Sequence, residues 1–167
     1  MTVTIKESGD FTNSIAQTRP GDPALVDGPY GRFSFQFDSP DRLVFIAGGV
    51  GITPILSMMR HLRDSGDRRR VVLIYANRTE HDIIARRELD AMPDNMAVHY
   101  VLDSPPERWE GYTGHVSGPV IEGCAGEGLQ KSDLYLCGPP AMMKKVCAQL
   151  RSLGVSRAQI HSERFAF

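Results

Sequence analysis

Cysteine is scarce in this chain of 167 residues: Cys124, Cys137 and Cys147 are the only three, and no two form a C-x-x-C pair. That argues against a disulfide framework and against a zinc cluster. The five histidines, at 61, 81, 99, 115 and 161, have no H-x-x-x-H spacing and none adjoins a cysteine, so no metal site is expected. The net charge of −1 carries no basic excess for nucleic acid. No apolar run is long enough to span a bilayer, and the N-terminal MTVTIKESGD lacks a signal-peptide pattern. A G-x-S-x-G elbow is missing, and so is a P-loop, because Leu129 and Gln130 follow the glycines of Gly123–Gly128 where Lys and Ser or Thr would stand. Internal repeats and low-complexity tracts are absent too. What remains is the expectation of a soluble globular protein in a reducing, cytoplasmic setting.

Against these absences one stretch stands out, LVFIAGGVGITPILSMM from Leu43 to Met59. Its opening run suits a strand buried on both faces of a parallel sheet. Thr53 and Pro54, ahead of Ile55, Leu56, Met58 and Met59, read as a helix N-cap, a first-turn proline and an apolar helical face. Between strand and helix lie Gly48, Gly49 and Gly51. Missing Cβ atoms admit a phosphate to the backbone, and the helix dipole favours its charge, so a dinucleotide pyrophosphate is the ligand to expect. The spacing Gly49-x-Gly51-x-x-Pro54 lacks the third glycine of G-x-G-x-x-G, and such turns also serve packing alone.

The chain has two textures. Residues 1 to 38 show short β signals at Thr2–Lys6 and Asp22–Val26, a short helix starting at Asp10–Ala16 capped by Asp10 or Thr12, and the turn Asp27–Gly31. So few strands cannot close a barrel, and the segment reads as the last part of an antiparallel β-barrel completed elsewhere or by a second chain or dimer. Residues 39 to 167 alternate instead: strands at Leu43–Gly48, Val71–Ala76, Ala97–Leu102, Leu134–Cys137 and Gln159–Phe165, helices at Pro54–Asp64, Asp82–Ala91 and Pro140–Leu153, and a long loop after the third strand. This predicts an α/β, Rossmann-like parallel sheet of about five strands with flanking helices. Gly66 and Gly154 follow the first and last helices as C-caps. The run Asp67–Arg70 reads as a solvated loop.

In such a sheet the strand C-termini share one edge, where ligands bind. That edge would gather Gly48–Thr53, Ala76-Asn77-Arg78, Asp103-Ser104 and Cys137-Gly-Pro-Pro140, the last a floor for a flat ring. By composition Cys137 reads first as a small buried hydrophobe, and Arg78 reads equally as a ribose-phosphate partner or a solvated loop residue. Cys147 falls on the apolar stripe of Met143, Val146, Leu150 and Leu153 and reads as core.

Four ordered motifs, Gly49–Pro54, Tyr75–Ile83, Cys137–Pro140 and Glu163–Phe165, resemble the pyridine-nucleotide domain of the ferredoxin–NADP reductase superfamily, closest to its cytochrome b5 reductase and ferric reductase-like branches. Gly9–Thr12 and Asp27–Gly31 resemble the end of that family's FAD barrel. The resemblance implies an NAD(P)H-dependent flavin oxidoreductase that passes hydride to FAD and electrons to an acceptor protein or a ferric or haem acceptor. It places the pyrophosphate on Gly48, Gly49, Gly51 and Thr53, the adenosine side near Asn77, Arg78 and Asp82, and the nicotinamide against Cys137, Gly138, Pro139 and Met142. It assigns Phe165 to the flavin ring and Thr12 to the FAD pyrophosphate. The family's upstream Arg-x-Tyr-Ser/Thr tetrad does not occur in these residues. The other reading is a nucleotide-binding or regulatory module docked on a flavin-bearing chain. Asp82 would repel a 2′-phosphate and Arg78 would attract one, which favours NADH slightly.

Overall fold

Leu43, Val44, Phe45, Ile46 and Ala47 are fully buried, as a strand covered on both faces requires. In the computed structural model, which describes residues 3–28, 30–37 and 41–164, six strands form one sheet: β1 (Arg42–Gly48), β2 (Arg70–Asn77), β3 (Met96–Leu102), β4 (Tyr112–Thr113), β5 (Asp133–Cys137) and β6 (Ile160–Glu163). The spatial order is β4-β3-β2-β1-β5-β6, with every pair parallel. The helices are α1 (Asp10–Ser14), α2 (Ile52–Asp64), α3 (Arg86–Asp90), α4 (Gly118–Ala125) and α5 (Pro140–Ser152). Alternate residues of β1 point to opposite layers. Leu43, Phe45 and Ala47 join α2 and α3 side chains such as Ile55, Met59 and Leu89, whereas Val44 and Ile46 join Ile121, Met143 and Leu150 from α4 and α5. The sheet is therefore doubly wound, as expected, with the two-residue β4 added beyond the five strands read from the sequence.

The chain divides into two compact units, Met1–Arg32 and Phe33–Phe167. In the first, α1 runs into a 3₁₀ turn, Ile15–Gln17. Its N-cap is Gly9, not Asp10 or Thr12. The Thr12 hydroxyl instead donates to the Gly9 carbonyl at 3.1 Å and accepts the Ser8 amide at 2.8 Å. The β elements expected at Thr2–Lys6 and Asp22–Val26 do not form among the described residues. Alternation alone holds no strand, since an extended backbone needs a neighbour to pair with. None of the described residues of this unit is buried, and Phe11, Leu25 and Tyr30 are exposed.

In the second unit Phe35 is 4% exposed, and Phe33 meets Tyr135 edge-on at 5.8 Å. The basic run is more than a solvated loop: Arg69 pairs with Asp67 at 2.7 Å and lies over the Phe35 ring at 5.0 Å. Several elements differ from expectation. Helix α2 starts two residues before Pro54, with Gly51 as N-cap, so Thr53 lies inside the first turn and its hydroxyl donates to the Val50 carbonyl at 3.1 Å. The helix expected at Asp82–Ala91 is split into a 3₁₀ turn, Glu80–Asp82, and α3, because Ala85 turns left-handed at φ 57°. Helix α4 arises within the expected loop: Gly118 and Gly123 weaken its helical signal, but burial of Ile121, Cys124 and Ala125 outweighs their cost. Gly66 and Gly154 do adopt positive φ after α2 and α5. Among the described residues, no helix is long and apolar enough to cross a membrane.

Helices α2 and α3 are clamped by Glu88, whose carboxylate accepts from Arg60 Nε at 2.8 Å, Arg60 Nη2 at 2.6 Å and Arg63 Nη1 at 3.0 Å. The Arg60 hydrogen bonds first, and the one from Arg63 after them, lower the Glu88 pKa to about 2. A depressed folded pKa stabilises above the unfolded value and is lost as protons bind. Wild type should therefore lose about 1–2 kcal/mol more than Glu88→Gln as pH falls from roughly 4.5 towards 2, after allowance for solvent screening. Urea unfolding across that range checks it, and parallel curves would remove Glu88 from the acid response.

Candidate nucleotide-binding site

The strand order reverses at β1: β2 lies on one side and β5 on the other, and both β1 and β5 lead directly into helices. The crevice beyond their carboxyl ends is where doubly wound sheets bind ligands. Two loops meet there, Gly48–Ile52 and Cys137–Pro140. Their approach is closer than any side chain would permit. A Cβ on Gly51 would collide with the Cys137 carbonyl oxygen, lie 2.5 Å from its carbon and 2.7 Å from the Gly138 nitrogen. One on Gly48 would meet Met142 Sδ at 2.6 Å and Pro139 Cδ at 2.9 Å, and one on Gly138 would meet the Gly48 nitrogen at 3.0 Å. Gly48, Gly51, Cys137, Gly138, Pro139 and Met142 thus form one contiguous patch. At Gly51 the structure adds a reason for glycine that the sequence does not show: the missing Cβ makes room for the second loop. Gly49 is the position open to a ligand: it has φ 53° and nothing within 4 Å of where a side chain would start.

Neither α2 nor α5 has a side-chain cap, so both helix entries face the crevice with backbone alone. At the end of β2, Asn77 is 9% exposed, and neither its Oδ1 nor its Nδ2 makes a hydrogen bond of normal geometry, although the amide acts on the Tyr75 phenol to lower its pKa against the larger effect of burial. A buried amide left without such bonds is costly, and a polar ligand would satisfy it. Tyr75, fully buried, donates its hydroxyl to the Gly49 carbonyl at 3.0 Å. The residue reading missed that role for Tyr75, since a tyrosine in an apolar strand reads as core.

Past Asn77, the exposed Arg78 makes no side-chain hydrogen bond or ion pair among the described residues, and its charge helps lower the Asp82 pKa. The larger cause is the capping box: Asp82 Oδ2 accepts from the Thr79 hydroxyl at 2.7 Å and the Thr79 amide at 2.9 Å. Asp82 is therefore held ionised and fixed in place. Cys137 is fully buried and its thiol is pushed up to about 11, by burial first and by the Glu163 charge second. At neutral pH it is a thiol, a small buried apolar group and not a nucleophile. Phe165 lies outside the described residues, and Thr12 belongs to the first unit. A separate recess of about 400 Å³ beside β3, lined by Arg86, Tyr100, Arg108 and Trp109 among others, includes none of the crevice residues. Among the described residues, no group of three His, Cys, Asp or Glu side chains could hold a metal ion.

The family model for the oxidoreductase NAD-binding domain matches residues 45–148, from the middle of β1 to the middle of α5. The chain belongs to the oxidoreductase NAD-binding domain family. This NAD-binding domain is 35% identical over 158 residues to NADH-cytochrome b5 reductase 1 of Scheffersomyces stipitis, across 92% of the chain and 56% of the relative. The chain thus spans about half the length of the curated relatives it matches. Its structure is similar to the cytochrome b5 reductase domain of Ulva prolifera nitrate reductase, with TM-score 0.82 and 31% identity, over 95% of this chain and 65% of that one. It is also similar to the CS-b5R domains of human Ncb5or in their NAD+ form, with TM-score 0.82 and 30% identity, over 96% of this chain and 47% of that one. The NAD-binding domain expected from the sequence is the family found.

Proposed function

We propose that the chain is the nicotinamide-nucleotide module of an NAD(P)H-dependent flavin oxidoreductase, taking NADH in preference to NADPH. The buried amide of Asn77 carries this reading: its donor and acceptor make no hydrogen bond of normal geometry, with the Tyr75 phenol the neighbour it acts on, at the edge where two uncapped helix entries meet. Gly49 and the α2 entry would receive the pyrophosphate. Asn77 would bind a sugar or phosphate oxygen on the adenosine side, and Cys137, Gly138, Pro139 and Met142 would seat the nicotinamide. The nicotinamide supplies a hydride, and the flavin divides the electron pair into single-electron steps. Asp82, held ionised by its own turn, would accept a ribose 2′-hydroxyl and repel a 2′-phosphate.

The first unit does not fit a flavin by its described residues. No strand forms there, and the Thr12 hydroxyl is occupied by Gly9 and Ser8. The flavin would be held by residues other than these, in the same enzyme or on a second chain or dimer partner. The exposed Phe11, Leu25 and Tyr30 favour such docking, and the reading of a module that is not catalytic alone rests on them. We extend the acceptor class from the relatives' names to an electron-acceptor haem protein, and we place the chain in a reducing, cytoplasmic setting suited to its free cysteines.

Calorimetric titration with NADH and NADPH is the test. NADH should bind at least about tenfold more tightly, and Asp82→Ala should close most of that gap through loss of the repelling charge. A strong NADPH preference abolished by Arg78→Ala would reverse the cofactor assignment, and no binding of either would remove the nucleotide site.

A further inference from the structure

The Tyr75 hydroxyl joins two loops that the strand topology leaves independent. Tyr75 is third from the end of β2, its ring fully buried and tilted against Tyr100 at 6.4 Å. Its oxygen donates to the Gly49 carbonyl at 3.0 Å and accepts the Ile84 amide at 3.3 Å. Both ends of this bridge sit at unusual backbone. Gly49 has φ 53°, and Ile84 precedes Ala85, the only non-glycine residue with positive φ among the described residues, at 57°. The segment from Thr79 to Ile84 also carries the capping box that fixes Asp82. One hydroxyl therefore fastens the open glycine of the β1–α2 turn to the loop after β2. Phenylalanine would fill the same space in the sheet, and it would leave a carbonyl and an amide without this partner.

We propose that Tyr75 is a positioning residue that couples the pyrophosphate turn to the adenosine loop, so that a dinucleotide meets one preformed surface in place of two that must be ordered separately. The inference rests on the proposed nucleotide site. Burial, the largest influence on this phenol, raises its pKa and so keeps the proton that Gly49 receives. The coupling follows from preorganisation: a ligand touching both loops gains from their being tied, and a ligand touching one does not.

The test uses the full 167-residue chain, wild type and Tyr75→Phe, titrated by NMR with ADP-ribose and with adenosine, which carries no phosphate. ADP-ribose affinity should fall about five- to tenfold in the variant, while adenosine affinity changes less than about twofold. Equal weakening of both ligands would mark a merely structural ring, and no weakening of either would mark an idle hydroxyl; each overturns the proposal. Amide exchange in the wild type supplies a reading that needs no variant. ADP-ribose should slow exchange at Ile84 about tenfold more than saturating adenosine does, and equal protection overturns the coupling. A wild type that binds neither NADH nor ADP-ribose overturns the nucleotide site itself, which is distinct from a wild type that binds beside an unchanged variant.

Discussion

Gly51→Val is expected to unfold the junction of the two loops and, with it, to abolish nucleotide binding. The first added carbon would lie 2.5 Å from the Cys137 carbonyl carbon and 2.7 Å from the Gly138 nitrogen, both backbone atoms of the segment that ends β5 and enters α5. A flexible side chain could swing away, but a strand end and a proline-locked helix entry cannot. Overpacking against backbone of this kind costs about 3 kcal/mol, the upper end of its usual range, which for a chain of this size lowers the melting midpoint by roughly 10 °C. Gly49→Ala is the contrast. Its Cβ meets nothing within 4 Å, and the cost is confined to holding φ 53°, about 1–2 kcal/mol. Thermal unfolding and NADH titration of both variants separate the two roles. A Gly51→Val protein that melts within a few degrees of wild type would show that the loops do not interlock as described.

Arg42→Ala should cost about 2–3 kcal/mol, or roughly 5–10 °C in midpoint, because one guanidinium closes the end of α4. Its Nη1 donates to the Glu127 carbonyl at 2.7 Å, and its Nη2 donates to the Ala125 carbonyl. These carbonyls lie at and just beyond the end of α4, where helix groups lack intrahelical partners and the dipole favours a cation. Burial, with a smaller contribution from the Arg70 charge, lowers the Arg42 pKa but leaves it a cation at neutral pH. Arg42→Lys should restore less than half of the loss, since a single ammonium cannot serve two carbonyls with the planar fork. Differential scanning calorimetry decides it; a midpoint within about 1 °C of wild type for the alanine variant would make Arg42 a bystander.

Much of the α/β unit was legible because its signals are local. Leu43–Ala47 and Val71–Tyr75 are continuous apolar runs too short for core helices, and a strand buried on both faces has no other pattern. Gly66 and Gly154 mark helix ends because their positive φ suits residues without a side chain. Helix α4 was hidden because Gly118 and Gly123 carry no helical preference, and only the burial of Ile121 and Cys124 against β-strands distant in sequence repays that deficit. The first unit misled for the converse reason: Thr2–Lys6 alternates, yet no neighbouring strand pairs with it among the described residues.

The site divides the same way. The sequence by itself determined that glycines and prolines follow the first and fourth long strands and that Asn77, Arg78 and Asp82 follow the second, since these are facts of spacing. Only the tertiary structure decided what each glycine is for. Whether a missing Cβ leaves open space, as at Gly49, or makes way for another loop, as at Gly51, depends on what stands a few ångströms away, and the neighbour of Gly51, Cys137, is remote in the chain. For the same reason Tyr75 was one more apolar-strand aromatic until folding set its hydroxyl between Gly49 and Ile84.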